Sequence, residues 1–430
     1  MKSIGGSLLW LALVPLLVFA SATRLRFGNW RNPASFLCIV WIGACGPALV
    51  LGAASVSVVS LLVTWGMLGS FVLGSFLVPQ AASDAAIAAN ESCWKFDESR
   101  LAIAVVVSGC VGLIAVASYV VSATSDLSSL GTVQGWVEIA VKYSVARYQD
   151  QETETIFVRL LVGINYAGAM LAGVLKGQDP DARRGFLPLL PILACCLITL
   201  VTTAKTPLML GILCSFAGQF ASRSSTSATV SAATSGRFRR IAGFVLVVIV
   251  LLGSLVLRYG GADGLDLKLL VERTGSYAIG PVYAFSAWVS TGGIEVADPG
   301  LGRYSVAGIF ELLGIGRRVS GFYEYITIND ATADSNIFSA LRGLIQDFYL
   351  PGALLFMLLL GLCAQILAMR RSDGPWERAI SVGFLSAIYL FLGWSPIISI
   401  FNYNGVHFAV LVVFLGLLMC VRKVPGSRVV

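Results

Sequence analysis

The stretch SNIFSALRGLIQDFYLPG, residues 335–352, sets Asn336, Arg342, Gln346 and Asp347 directly against an apolar run that begins near Tyr349. Laid on a helix, Ser335, Ser339, Arg342, Gln346 and Tyr349 recur at steps of four, three, four and three and share one stripe. Asn336, Gly343 and Asp347 form the adjoining stripe, and Leu341 and Leu344 fall on the face left for packing. Pro351-Gly352 then marks a bend where the chain enters the bilayer. A polar stripe at the mouth of a membrane span costs free energy unless it is solvated or paired, so such a stripe faces a cavity or a partner. A guanidinium fork meets two phosphate oxygens at once, and a carboxylate beside it orients that fork or takes a proton. The stripe therefore reads as the lining of a wet cavity for a polar, anionic ligand. The plainer alternative is an interfacial helix with its polar side in water.

Other residues extend the same chemistry. Arg258, Arg273, Arg303, Arg317, Arg318 and Arg342 stand among aromatic and aliphatic runs between residues 258 and 348. Lys205 occupies the turn TTAKTPLM and Arg147 lies in VKYSVARYQDQE. Taken singly, each arginine is explained by snorkelling to headgroups or by pairing with carboxylates such as Asp263, Glu272 or Asp334. As a group they suit a lipid-linked diphosphate. Candidate bases are Asp347, Glu311, Glu324 and His407, the last being the chain's one histidine. A single histidine and nine cysteines without CxxC spacing leave no metal site to expect. No Walker or dinucleotide fingerprint appears, so no cofactor is expected, and nothing points to nucleic acid.

The elements that must carry these residues follow from composition. The 430 residues are 57% hydrophobic and 12% charged, with mean hydropathy +0.83. A soluble domain carries about twice that share of charge. Apolar runs at 5–22, 35–54, 56–78, 101–121, 156–175, 187–203, 206–221, 241–257, 350–369, 379–400 and 406–421 each approach the roughly 20 residues that span a bilayer. The fold class is an all-α polytopic membrane protein, one integral membrane domain over 1–430 with about eleven transmembrane helices (10–14). Basic clusters at 23–32, 80–100, 176–185, 222–240, 369–378 and the C-terminal tail fall on one side of this arrangement, which makes that side cytoplasmic. Residues 122–155, Lys205, the segment 258–348 and His407 then face outward. Ala20-Ser21-Ala22 also resembles a signal-peptidase site, but cleavage there would strand Arg24, Arg26 and Arg31 outside, against the charge rule. The segment 258–348 is expected as a large outer loop of short amphipathic helices, with a partial span near GPVYAFSAWV.

Several of these motifs together resemble the Wzy-type O-antigen polymerases, the oligosaccharide repeat-unit polymerases of Gram-negative bacteria. SNIFSALRGLIQDFYLPGALLFMLLLG (335–361) is similar to the family's Asn-x-(Phe/Tyr)-(Thr/Ser) segment followed by Asp-Phe-Gly before a span, although Tyr349 stands here where the family often has Gly. RTGSYAIGPVYAF (273–285), TTAKTPLML (202–210), Arg147 and the Arg303-to-Gly314 spacing are similar to further family segments. The resemblance implies a GT-C-like membrane glycosyltransferase in the bacterial inner membrane. Its substrate, as donor and as acceptor, would be an undecaprenyl-diphosphate-linked oligosaccharide, polymerised at the periplasmic face among membrane lipids and beside a possible chain-length regulator. It implies catalytic roles for Asn336, Arg342, Asp347 and His407, and diphosphate binding by Arg147, Lys205, Arg273, Tyr277, Arg303, Arg317 and Arg318. O-antigen ligases and lipid-linked oligosaccharide flippases are the rival readings. The ligase family usually places a histidine in its large outer loop, and 258–348 has none.

Overall fold

The computed structural model describes residues 13–50, 56–79, 94–124, 131–148, 155–178, 186–224, 237–259, 267–295, 299–315, 323, 326–328, 333–335, 338–370 and 374–423. Among these residues helices dominate, and the strands are two short antiparallel pairs, Trp94–Phe96 with Val421–Lys423 and Ile326–Ile328 with Ala333–Ser335. Among the described residues four helices are long and apolar enough to cross a membrane: Val58–Phe76, Glu98–Ala123, Ile156–Gln178 and Ala340–Met369. Pro33–Ala48, Leu187–Thr202, Val247–Leu257 and Asn404–Cys420 are shorter apolar helices. On the long helices Leu62, Leu73, Ile103, Val107, Leu355 and Leu359 point outward and stay exposed. An outer surface of that kind suits hydrocarbon rather than water. This is an all-α protein with helices of membrane-spanning length.

The chain forms two compact units. The first comprises residues 1–90, 271–371 and 387–407. Its Val14–Phe27 helix stops at Gly28, which takes the left-handed φ of 71° and returns its N–H to the Arg24 carbonyl at 3.0 Å. The Val58–Phe76 helix starts at Ser57, whose hydroxyl accepts the Ser60 N–H at 3.1 Å. Arg26 closes the other end of that helix by donating to the carbonyls of Phe76 at 2.9 Å and Val78 at 3.1 Å. The Val58–Phe76 helix packs against Ala340–Met369 at backbone contact. A Cβ on Gly74 would lie 1.9 Å from the Leu358 carbonyl oxygen, and one on Gly361 would lie 2.0 Å from that of Phe71. Ser75 Oγ donates to the carbonyls of both Phe71 and Gly361 at 3.1 Å. Small residues and hydroxyls at such a crossing are what helices use where no water drives them together.

The second unit comprises residues 91–270, 372–386 and 408–430. Ile156–Gln178 is its buried spine, crossing Thr206–Ser224 in the same way. A Cβ on Gly173 would stand 2.0 Å from the Ser215 carbonyl oxygen, and one on Gly218 2.0 Å from that of Met170. Asn165, fully buried on the spine, donates to the Pro191 carbonyl at 3.0 Å. Asp97 caps Glu98–Ala123 by accepting the N–H groups of Ser99 at 2.9 Å and Arg100 at 3.1 Å.

Two features differ from the sequence reading. The segment read as an outer loop contains a 24-residue helix, Leu267–Ser290, in which Ile279, Tyr283, Ala284, Phe285, Trp288 and Val289 are buried. Ile279 and Tyr283 pack with Ala48, Val56 and Leu61 of the same unit. Lys268, Glu272 and Arg273 at its start dilute the apolar signal, and packing overrides the internal Pro281. The second difference concerns Ser335, which lies on a strand. The helix begins only at Ala340, after Ser339.

Candidate functional site

The helix Ala340–Met369 is broken at Tyr349, whose φ of 57° and ψ of 169° are non-helical. This region is populated almost only by glycine, and a bulky residue there is strained. The break follows from Pro351, placed two residues later. Proline has no N–H to give to the carbonyl four residues back, which is that of Asp347. An intact helix would also satisfy Gln346 through the N–H of Leu350. Across the break both carbonyls take donors from a distant segment instead: Gly300 N–H to Gln346 at 2.9 Å and Leu301 N–H to Asp347 at 3.3 Å.

The Asp347 side chain completes the junction. Fully buried, it accepts the Tyr304 N–H at 3.1 and 3.2 Å on its two oxygens, the Ser305 N–H at 2.7 Å and the Ser305 hydroxyl at 2.6 Å. None of these donors is an arginine. A carboxylate so enclosed holds a strap of backbone; it does not face a ligand. The strap fits only because position 300 is glycine: a Cβ there would lie 2.4 Å from Asp347 Oδ1. The strap is tied again further along. Ser399 Oγ donates to the Ser305 carbonyl, and Ala307 N–H donates to Asn402 Oδ1 at 3.1 Å. Residues 300–307 thus link the broken helix to the 399–402 turn within the first unit. Arg303 sits in the middle of the strap with its side chain exposed.

Arg342 is also buried, on the Ala340-to-Phe348 side of the break. Its guanidinium carbon lies 4.0 Å from the ring centre of Tyr323, 4.1 Å from that of Phe338 and 5.0 Å from that of Trp288. Three rings around one buried cation form an aromatic box, and each attracts the guanidinium through its π face. Leu341 and Leu344 are fully buried, as the packed face requires.

His407 lies at the start of Asn404–Cys420, half-buried, with Nε2 at 2.7 Å from the Phe401 carbonyl and its ring stacked on Phe401 at 5.5 Å. Ring contacts continue from Phe401 to Phe391 at 6.0 Å, Phe391 to Phe356 at 6.5 Å, and Phe356 to Phe348 at 6.0 Å. The series ends beside Asp347.

The residues singled out in the sequence are therefore placed unequally. Arg303, Arg342, Asp347 and His407 gather in the first unit around the strap. Arg273 and Tyr277 are on the Leu267–Ser290 helix. Arg147, on Val133–Tyr148, and half-buried Lys205, at the turn before Thr206–Ser224, belong to the second unit. Asn336, Arg317 and Arg318 lie outside the described residues. Sequence reading missed Tyr304, whose backbone N–H carries no residue-type signal, and Ser305, Ser399 and Asn402, whose small polar side chains meet partners about forty to ninety-five residues away in the chain. It also missed Trp288 and Tyr323, which read as ordinary apolar content. Protein-family models, curated proteins and solved structures give no match to this chain.

Proposed function

We propose that the chain is a Wzy-type polymerase: a GT-C-like membrane glycosyltransferase of about eleven spans that joins undecaprenyl-diphosphate-linked repeat units at the periplasmic face of a bacterial inner membrane. The observation that carries this reading is the clasped helix break. The buried Asp347 fixes a strap that presents Arg303 outward, and Arg342, five residues earlier on the same broken helix, is buried in an aromatic box. A cation held on a rigid backbone at a membrane mouth is suited to diphosphate and needs no metal to do so. In this reading Arg303 binds the diphosphate of the donor, together with Arg273 and Tyr277. Arg342 and Asp347 position it, and His407 takes the acceptor's proton.

Deletion of the gene followed by gel analysis of lipopolysaccharide tests the proposal. Loss of a polymerase leaves core carrying a single repeat. Bare core with accumulated lipid-linked polymer would instead mean a ligase. Broken helices are also a feature of transporters that bind substrate at the break. Bare core with lipid-linked single repeats trapped on the cytoplasmic side would mean a flippase.

A further inference from the structure

We infer that Asn402, Asn404 and His407 form a hydroxyl-binding subsite for the acceptor sugar, with His407 Nδ1 as the proton acceptor. The inference rests on the polymerase reading and gives that reaction its second substrate position.

A carbonyl oxygen only accepts, so the 2.7 Å contact between His407 Nε2 and the Phe401 carbonyl places the ring proton on Nε2. In the neutral imidazole Nδ1 is then the basic lone pair. Stacking on Phe401 fixes the ring plane as well. Two amides stand alongside. Asn402 is fully buried. Its Oδ1 is taken by Ala307 N–H, but its Nδ2 has no partner among the described residues. Asn404 Oδ1 is buried and likewise without a donor. Leaving a buried amide atom unmade costs about 1–3 kcal/mol. A site that keeps one free donor and one free acceptor close to a histidine ring suits a ligand that supplies both, such as a sugar hydroxyl and its neighbour.

The strap provides the opposite wall. Ala307 holds Asn402, and the next residue is glycine. A Cβ on Gly308 would lie 3.0 Å from Asn404 Oδ1, from His407 Cδ2 and from the Phe401 carbonyl oxygen. The same strap is held at its other end by Asp347. In the reaction the acceptor O–H gives its proton to His407 Nδ1, and its oxygen forms the new bond to the anomeric carbon of the donor. The bond from that carbon to the lipid diphosphate breaks, and the diphosphate leaves with the electron pair.

The test uses full-length protein in lipid vesicles with single lipid-linked repeats purified from polymerase-deficient cells. In parallel, the free repeat oligosaccharide, released from its lipid by mild acid, is measured for binding to the detergent-solubilised protein. His407→Gln keeps a hydrogen-bonding group but no base, so kcat should fall about 10²–10⁴-fold with KM little changed. Asn404→Ala and Gly308→Ala should raise KM and weaken oligosaccharide binding about tenfold. Gly308→Ala removes no hydrogen bond, so it serves as the control should Asn404→Ala lose folded protein. Folded, active variants within threefold of wild type in both assays would overturn the subsite. If wild type fails to extend the repeats, the polymerase reading fails. The subsite then stands if the oligosaccharide binds and the Asn404 and Gly308 variants weaken it, and falls if they do not.

Discussion

Each unit closes a pair of long helices on glycine: Val58–Phe76 with Ala340–Met369 at Gly74 and Gly361, and Ile156–Gln178 with Thr206–Ser224 at Gly173 and Gly218. Beyond that shared crossing the two diverge. The second unit's spine runs unbroken and buries one neutral amide, Asn165, which finds a carbonyl on a neighbouring helix. The first unit's Ala340–Met369 breaks, exposes two backbone carbonyls and buries a carboxylate and a guanidinium beside them. An apolar crossing is satisfied by shape alone. A break with buried charge needs donors, and here they come from a strap some forty residues earlier in the chain. Where ordinary membrane-helix packing suffices the chain uses it, and it departs from that packing at the candidate site.

The largest effect belongs to what the units share. At Gly361 and Gly218 an added Cβ would stand 2.0 Å from a backbone oxygen, which no rotamer change relieves. Gly361→Val and Gly218→Val should each abolish folded protein. The alanine variants should each lower stability by about 1–3 kcal/mol. Thermal melting in detergent and the yield of monodisperse protein measure both. If one crossing tolerates valine and the other does not, the units are not built on the same contact.

Breaking the clasp comes next. Asp347→Asn keeps the shape but turns an acceptor oxygen into a donor that faces the Tyr304 and Ser305 donors. The loss should be about 3 kcal/mol, and the strap bearing Arg303 should lose its position. Asn165→Ala in the intact helix should cost about 1 kcal/mol. Arg303→Lys should leave melting unchanged while shortening lipopolysaccharide ladders, since lysine lacks the two-pronged contact. Full ladders from Asp347→Asn would show that the clasp does no positioning.

Much of the packing was legible in the sequence. Apolar runs mark the long helices, and helical spacing alone puts Leu341 and Leu344 on the buried face. Proline chemistry puts the break slightly late, at Pro351-Gly352, because proline acts on the carbonyl four residues behind it and the distortion falls at Tyr349. Spacing alone draws Ser335 into the helix, although it pairs with Ile326 on an antiparallel strand. The strap was not legible at all. Tyr304 serves through its main-chain N–H and Ser305 through both N–H and hydroxyl, and no pattern in residues 299–308 announces which carboxylate they meet.

Tyr349 offers a smaller test of the same comparison. Its φ of 57° with ψ of 169° carries a side-chain penalty that glycine avoids. Tyr349→Gly should therefore raise stability by about 1 kcal/mol, where glycine inside a helix ordinarily destabilises. Phe348→Gly, one residue earlier, should lower it by at least that much, because it also removes the ring stacked on Phe356. Equal destabilisation by both glycines would mean that the break stores no strain at Tyr349.

The smallest effect comes from a second carboxylate that also holds backbone N–H groups, but in the other unit and in water. Asp97 lies at the surface. Its carboxyl is held below the usual range first by the Arg100 N–H, with Arg422, 3.3 Å away, and the Ser99 N–H adding to it. A depressed folded pKa stabilises the fold at pH values above the unfolded aspartate pKa, about 3.9, and that stabilisation is lost as pH falls through the lower folded value. Wild type should thus melt a few degrees above Asp97→Asn at neutral pH, by about 2–4 °C at most. The gap should close in acid. Added salt should narrow it too, because the Arg422 part of the pull is screened by solvent ions. The stability lost in Asp347→Asn should be almost indifferent to salt, since its partners are backbone and hydroxyl donors sealed from water. A gap for Asp97 that persists unchanged at pH 2 and in high salt would show that this surface cap works through local hydrogen-bond shape alone, without its charge.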